Sequence, residues 1–162
     1  REFHTYMTER RGALLGSELF VSGQGIANAA SFFRDTGRLT EDARRGIADL
    51  ETSQVPAAIA ERASEDRSCA EIMKLFVRMY AKVASNVALT LLPTQGLYLA
   101  GGIVSKNADW FLRQGEFISA FETVYKESLV DTLRNIPVYI VNDYAISLYG
   151  AAHAAYWLLN HE

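Results

Sequence analysis

The chain has 162 residues, 49% of them hydrophobic and 22% charged, the balance of one globular domain with a sizeable core. A net charge of −3, with its 16 Lys and Arg scattered, leaves no basic stripe for a phosphate backbone and argues against nucleic-acid binding. The longest apolar run, Val87 to Val104, is broken by Thr90, Pro93, Thr94 and Gln95, short of the roughly 20 apolar residues of a membrane span, and a lone Cys69 excludes an intrachain disulfide or a four-cysteine zinc framework.

The opening REFHTYMTERRG has no initiator Met and no secretory signal. Phe3, Tyr6, Met7 and Leu14 follow helical spacing, which Gly12 and Gly16 should end; the segment is expected to continue a longer polypeptide. Glu18 to Val21 reads as a short extended link leading to SGQG and a helix from Ile26 to about Arg34. Thr40, followed by Glu41 and Asp42, is an N-cap with an acidic first turn for a helix to about Leu50, and Pro56 suits the first turn of one reaching about Ser64. Ser68 and Glu71 have capping-box spacing and should open the strongest helix, with Ile72, Leu75, Phe76, Met79, Val83 and Val87 on one face. A second stripe of Ala70, Met73, Val77, Ala81, Ala84 and Ala88 predicts burial on more than one side.

Leu97 to Ala100 and Ile136 to Val141 read as buried strands. Between them, Ser105 or Asn107 can cap a helix through Trp110 and Phe111, and a second helix spans Phe117 to about Leu133. The small-residue helix Ile146 to Leu159 should pack closely against a sheet. Two buried strands alone make a marginal sheet, so more strands are expected, within the chain or outside it.

Two glycine segments stand at helix entrances. In LYLAGGIV, residues 97 to 104, Gly-Gly follows a strand and precedes a polar Ser-Lys-Asn turn into a helix; SGQG, Ser22 to Gly25, is the other. Glycine there lets a ligand approach the backbone, with N–H groups open to an anion or a ribose. It serves equally for tight packing or turn geometry, and the residues alone leave both readings open.

The succession VSGQGIANAASFF, KVASNVALTLLP, GLYLAGGIV, FISAFE, IPVYIV and YGAAHAA, in that order and spacing, resembles the C-terminal half of the bacterial-type glucokinases, members of the sugar-kinase, heat-shock-chaperone and actin superfamily. The resemblance covers nearly the whole chain. It implies a single helix-rich α/β domain of the actin-like ATPase, ribonuclease H-like kind, part of whose sheet lies outside this chain. ATP, with Mg²⁺ carried on the nucleotide, and glucose are the implied substrates, in the cytoplasm. Nucleotide contacts are implied at Ser22, Gly23, Gly25, Gly101 and Gly102, with the glycine backbone as the working part.

In that family the N-terminal domain supplies the phosphate-binding turn, the catalytic Asp and the sugar-binding Glu and His, and these motifs are absent from the sequence. No catalytic residue or metal ligand is therefore assigned, and the chain by itself should be inactive. Its expected partners are the missing N-terminal half and a second copy of itself. The alternative is a kinase-like sensing or structural module without catalysis.

Asp143 in VNDYA follows a strand, as a kinase base can, but it precedes the last helix and reads as its N-cap. His153 reads as packed or partly exposed, and neither His4 nor His161 has metal-ligand spacing. Cys69 lacks a basic neighbour, Trp110 and Phe111 read as core, and Arg10-Arg11 and Arg44-Arg45 read as solvated helix faces.

Overall fold

The computed structural model describes residues 1–143 and 145–160. Helix α1 (Glu2–Arg11) lays Phe3 and Met7 into the core, with the Phe3 ring 5.5 Å from Phe20 and 5.4 Å from Phe32. It ends at Gly12 as expected, so Leu14 falls outside the helix and is exposed. Glu18–Val21 is not an extended link but a helical turn, α2. Burial of Phe20 favours the turn, and the Ser22 hydroxyl closes it by donating to the Glu18 carbonyl at 2.7 Å. Helix α3 (Gly23–Asp35) follows at once, three residues earlier than the expected start at Ile26. SGQG is thus an N-cap and first turn, not a loop ahead of a helix. Buried Asn28 ties the two helices, donating to the Leu19 carbonyl at 3.0 Å and accepting from Gln24 Nε2 at 3.0 Å.

Helix α4 (Glu41–Ile47) starts where Thr40 predicts, with its hydroxyl accepting the Ala43 N–H at 3.2 Å, and stops short of Leu50. Helix α5 (Val55–Arg62) carries Pro56 in its first turn, where the ring's fixed φ suits a helix start. Helix α6 (Arg67–Leu91) is 25 residues long and forms the spine. Its N-cap is Asp66, which displaces the expected Ser68–Glu71 box. A carboxylate can accept several hydrogen bonds at once. Asp66 accepts the Cys69 N–H at 2.9 Å and the hydroxyl of buried Ser68 at 2.6 Å, and Thr40 donates to it as well. One side chain thereby joins the starts of α4 and α6, while Glu71 pairs with Arg67 at 3.0 Å. Burial wraps round α6 as the double stripe predicts, taking in Ile72, Met73, Phe76, Val77, Ala81 and Ala88 as the helix packs on α2, α3 and α5; Val87 alone of the first stripe stands exposed.

Strand β1 (Leu97–Leu99) leads into α7 (Gly102–Lys106) and α8 (Ala108–Leu112). The helix after the strand therefore begins at the second glycine, not beyond a Ser-Lys-Asn turn. The helix through Trp110 and Phe111 is α8, and Asn107 stands at its N-cap position as expected, although its side chain makes no capping bond and donates Nδ2 back to the Ile103 carbonyl at 2.8 Å. The single helix expected over Phe117 to Leu133 is broken into α9 (Glu116–Glu122) and α10 (Val130–Arg134). The break starts at Thr123, extended at φ −78° and ψ 106°, whose carbonyl accepts from the Lys82 ammonium of α6. Phe111, Phe117 and Phe121 join Phe76 and Tyr80 in an aromatic column, and Arg78 holds α9 through both oxygens of Glu116 at 2.7 and 3.1 Å.

Strand β2 (Val138–Ile140) pairs with β1 in parallel, Leu97 opposite Val138 and Leu99 opposite Ile140. The described residues thus form a helix-rich α/β fold with a two-stranded parallel sheet. The sheet is not buried on both faces as expected: Tyr98 and Tyr139 stack at 5.0 Å on its outer side, 60% and 45% exposed. The last helix, α11 (Ile146–Asn160), does not pack against the sheet and buries no residue. Two strands make too narrow a platform for it, so Leu148, Tyr149, Tyr156 and Leu158 face solvent. Among the described residues no helix is long and apolar enough to cross a membrane.

Candidate functional site

A cleft of about 410 Å³ lies between the starts of α3, α5 and α7, within the range of roughly 300–1,000 Å³ typical of small-molecule sites. Gly23 and Gly102, from the two glycine segments, both line it. Ile26, Pro56, Ala57, Ala60 and Ile103 give it apolar walls, and Ser53, Glu61, Lys106 and Asn107 supply its polar groups.

The five residues singled out in the sequence divide by role. Gly23 opens α3, and a Cβ there would meet only Pro56 Cγ at 3.7 Å, an ordinary contact. Ser22 stands at the N-cap of α3, but its hydroxyl turns back to α2, and it is the Ser22 carbonyl that accepts the Gly25 N–H at 2.9 Å. Gly25 is buried away from the cleft: a Cβ on it would lie 2.4 Å from the carbonyl carbon and oxygen of Phe20. That glycine serves the contact between α2 and α3. Gly101 has φ +104° with nothing within 4 Å of the position a Cβ would take, so backbone conformation and not crowding selects glycine there. Its carbonyl accepts the N–H groups of Val104 and Ser105 at 3.1 and 3.0 Å, which starts α7 and sets Gly102 in the cleft wall.

Pro56, Ile103, Lys106 and Glu61 were not marked by the sequence as site residues. Pro56 signals a helix start and nothing more, and Glu61 and Lys106 are two among many surface charges. Only tertiary packing puts α5 opposite α7.

Elsewhere the weighed residues take structural roles. The Asp143 carboxylate accepts the Ala145 N–H at 2.8 Å at the entrance to α11. His153 is exposed on α11, and His161 lies outside the described residues. Burial, with the Asp66 carboxylate nearby, pushes the Cys69 thiol up to about 12, which makes it a poor nucleophile. Phe111 is core as expected, while Trp110 is half-buried beneath the Arg113 guanidinium at 4.4 Å. Arg10 bonds to Asp35 at 2.5 Å, and Arg45 to Asp42 at 2.6 Å. A larger cleft of about 650 Å³ is lined by residues of α1, α3 and α6, but it holds none of the glycines, and its Arg38 and Arg78 are engaged with Glu2 and Glu116.

The sequence model of the family described as Glucokinase matches residues 2–157. A glucokinase of Nostoc sp. is 34% identical over 151 residues, covering 85% of this chain and 43% of the relative. One from Synechocystis sp. is 34% identical over 150 residues, covering 85% and 41%, and one from Neisseria gonorrhoeae 33% over 142 residues, covering 86% and 39%. The chain thus spans about two-fifths of the length of these relatives, and it corresponds to their C-terminal part. With a match that runs through the glycine segments, the central helix and both strands, the chain belongs to the glucokinase family.

Proposed function

We propose that this chain is the nucleotide-side part of an ATP-dependent glucose kinase, an actin-like, ribonuclease H-like domain whose cleft between α3, α5 and α7 receives the adenosine. The observation that carries this reading is the meeting of Gly23 and Gly102 in one cleft of a glucokinase-family chain. The walls formed by Ile26, Pro56, Ala57 and Ile103 suit a flat heterocycle, and the backbone at Gly102, set by the turn at Gly101, offers close approach to a ribose. Ser22 and Gly25 support the wall from behind, by closing α2 and by seating it on α3.

The phosphate-binding turn, the catalytic base and the sugar ligands would come from the part of the kinase that this chain does not span. In the complete enzyme the reaction is in-line transfer of the γ-phosphoryl group to the glucose 6-hydroxyl, in the cytosol. Mg²⁺ is typically bound through one or two carboxylates and the substrate's phosphates, and the nucleotide supplies the phosphates. The ion would arrive on the nucleotide.

Calorimetric titration of the 162-residue chain with adenosine and with ADP tests the assignment. Saturable binding is expected, weakened at least tenfold by Gly102→Val, with no glucose 6-phosphate formed from ATP by the chain alone. If Gly102→Val lowers only the melting temperature and leaves binding intact, the glycines serve packing and the reading fails. Binding by the complete protein without turnover would favour a sensing module instead.

A further inference from the structure

Glu61 and Lys106 face the same cleft from α5 and α7, and neither side chain makes a hydrogen bond or ion pair with any described residue. Lys106 is the cleft's one cation and Glu61 its one anion among the described lining residues. Both are exposed at its rim, with apolar surface from Ala60 and Ile103 in the same cleft. Opposite charges in one cleft ordinarily attract, and an exposed pair gains a little by meeting. Here they do not pair, and each stands on the wall of its own helix. The cleft is therefore electrically polar, positive at the α7 wall and negative at the α5 wall.

We infer that this pair fixes the direction in which a nucleotide lies, a proposal that rests on the nucleotide reading of the cleft given above. A bound nucleoside phosphate places its anion beside Lys106 and away from Glu61, and the base lies towards the α5 wall of Pro56, Ala57 and Ala60. The reverse pose sets phosphate against carboxylate and leaves the ammonium without a partner. Neither side chain holds the base, so the pair acts on phosphate alone and with opposite signs: the lysine attracts it and the glutamate repels it. Lys106 also closes the last turn of α7, where a cation favours the helix end whether or not a ligand is present. That purely structural role is what the experiment has to separate from the proposal.

The readout is the ratio of ADP to adenosine affinity, measured calorimetrically at low salt on the 162-residue chain and its variants. Lys106→Ala is expected to weaken ADP about fivefold and Glu61→Gln to tighten it about twofold, the scale of single exposed charge pairs, while adenosine stays within about twofold in both. Lys106→Arg should restore the ADP affinity. An unchanged ratio in Lys106→Ala, an equal loss of adenosine and ADP, or a weakened ADP affinity in Glu61→Gln would each overturn the proposal. Failure of the unmodified chain to bind adenosine or ADP at all would instead overturn the cleft assignment on which it rests.

Discussion

Gly25→Ala and Gly23→Ala differ by one methyl group placed two residues apart, and the structure assigns them opposite outcomes. At Gly25 the new carbon would lie 2.4 Å from both the carbonyl carbon and oxygen of Phe20 and 3.0 Å from its Cα. These are backbone atoms of α2 and cannot swing aside as a side-chain tip can, so α2 must lift from α3 and disturb the contact of Phe20 with Phe3. Overpacking of this kind costs about 1–3 kcal/mol, partly offset by the better helix propensity of alanine. A net loss of about 2 kcal/mol corresponds to a fall in melting temperature of about 4–8 °C for a chain of this size. At Gly23 the methyl group meets only Pro56 Cγ at 3.7 Å, so melting should stay within about 2 °C of the parent, but the group projects into the cleft and should weaken adenosine binding. Scanning calorimetry paired with adenosine titration reads both effects. Parental melting in Gly25→Ala, or a fall in Gly23→Ala as large as that in Gly25→Ala, would refute the division between a packing glycine and a cleft glycine.

Burial raises the Asp66 carboxyl, but hydrogen bonds from Ser68, Thr40 and the Cys69 N–H outweigh it and hold the group at about 2, below its ordinary 3.8. The carboxylate therefore contributes stability that is fully present above about pH 4 and is lost as pH falls towards 2. Asp66→Ala should cost about 1–2 kcal/mol at pH 7, allowing for solvent screening of a half-buried group, and the gap from the parent in denaturant melts should shrink across that acid window; a gap independent of pH would contradict the assignment. The outer sheet face and α11 expose Tyr98, Tyr139, Leu148 and Tyr156, so the isolated chain should self-associate as its concentration rises. Light scattering after size-exclusion chromatography checks this, and a monomer over a wide concentration range would show that these surfaces need no cover.

What was legible in the sequence was what is decided locally. Thr40 and Pro56 announce helix starts through their own chemistry, the double stripe of α6 reports burial on several sides, and the β-branched run at IPVYIV marks a strand. The misread elements depend on partners distant in the chain. Asp66 takes the cap from Ser68 because Thr40 of another helix shares its carboxylate, and Thr123 interrupts a helix where its carbonyl meets Lys82. Glu18–Val21 becomes helical where Phe20 finds a pocket among Phe3 and its neighbours. In the candidate site, both glycine segments were visible. Which of their glycines faces the cleft was not, because that depends on the backbone of α2 behind Gly25 and on α5 in front of Gly23.

The parallel pairing of Leu97 with Val138 has a consequence for the order of assembly. It joins segments about forty residues apart, whereas α2 and α3 or α5 and α6 are sequence neighbours, and contacts that close long loops form late. The α5 wall of the cleft can therefore consolidate with the α6 spine early in folding. The α7 wall hangs from β1 and reaches its place only after the strands have found their register. A ligand spanning both walls would then act as a late fastener, slowing unfolding far more than it speeds folding.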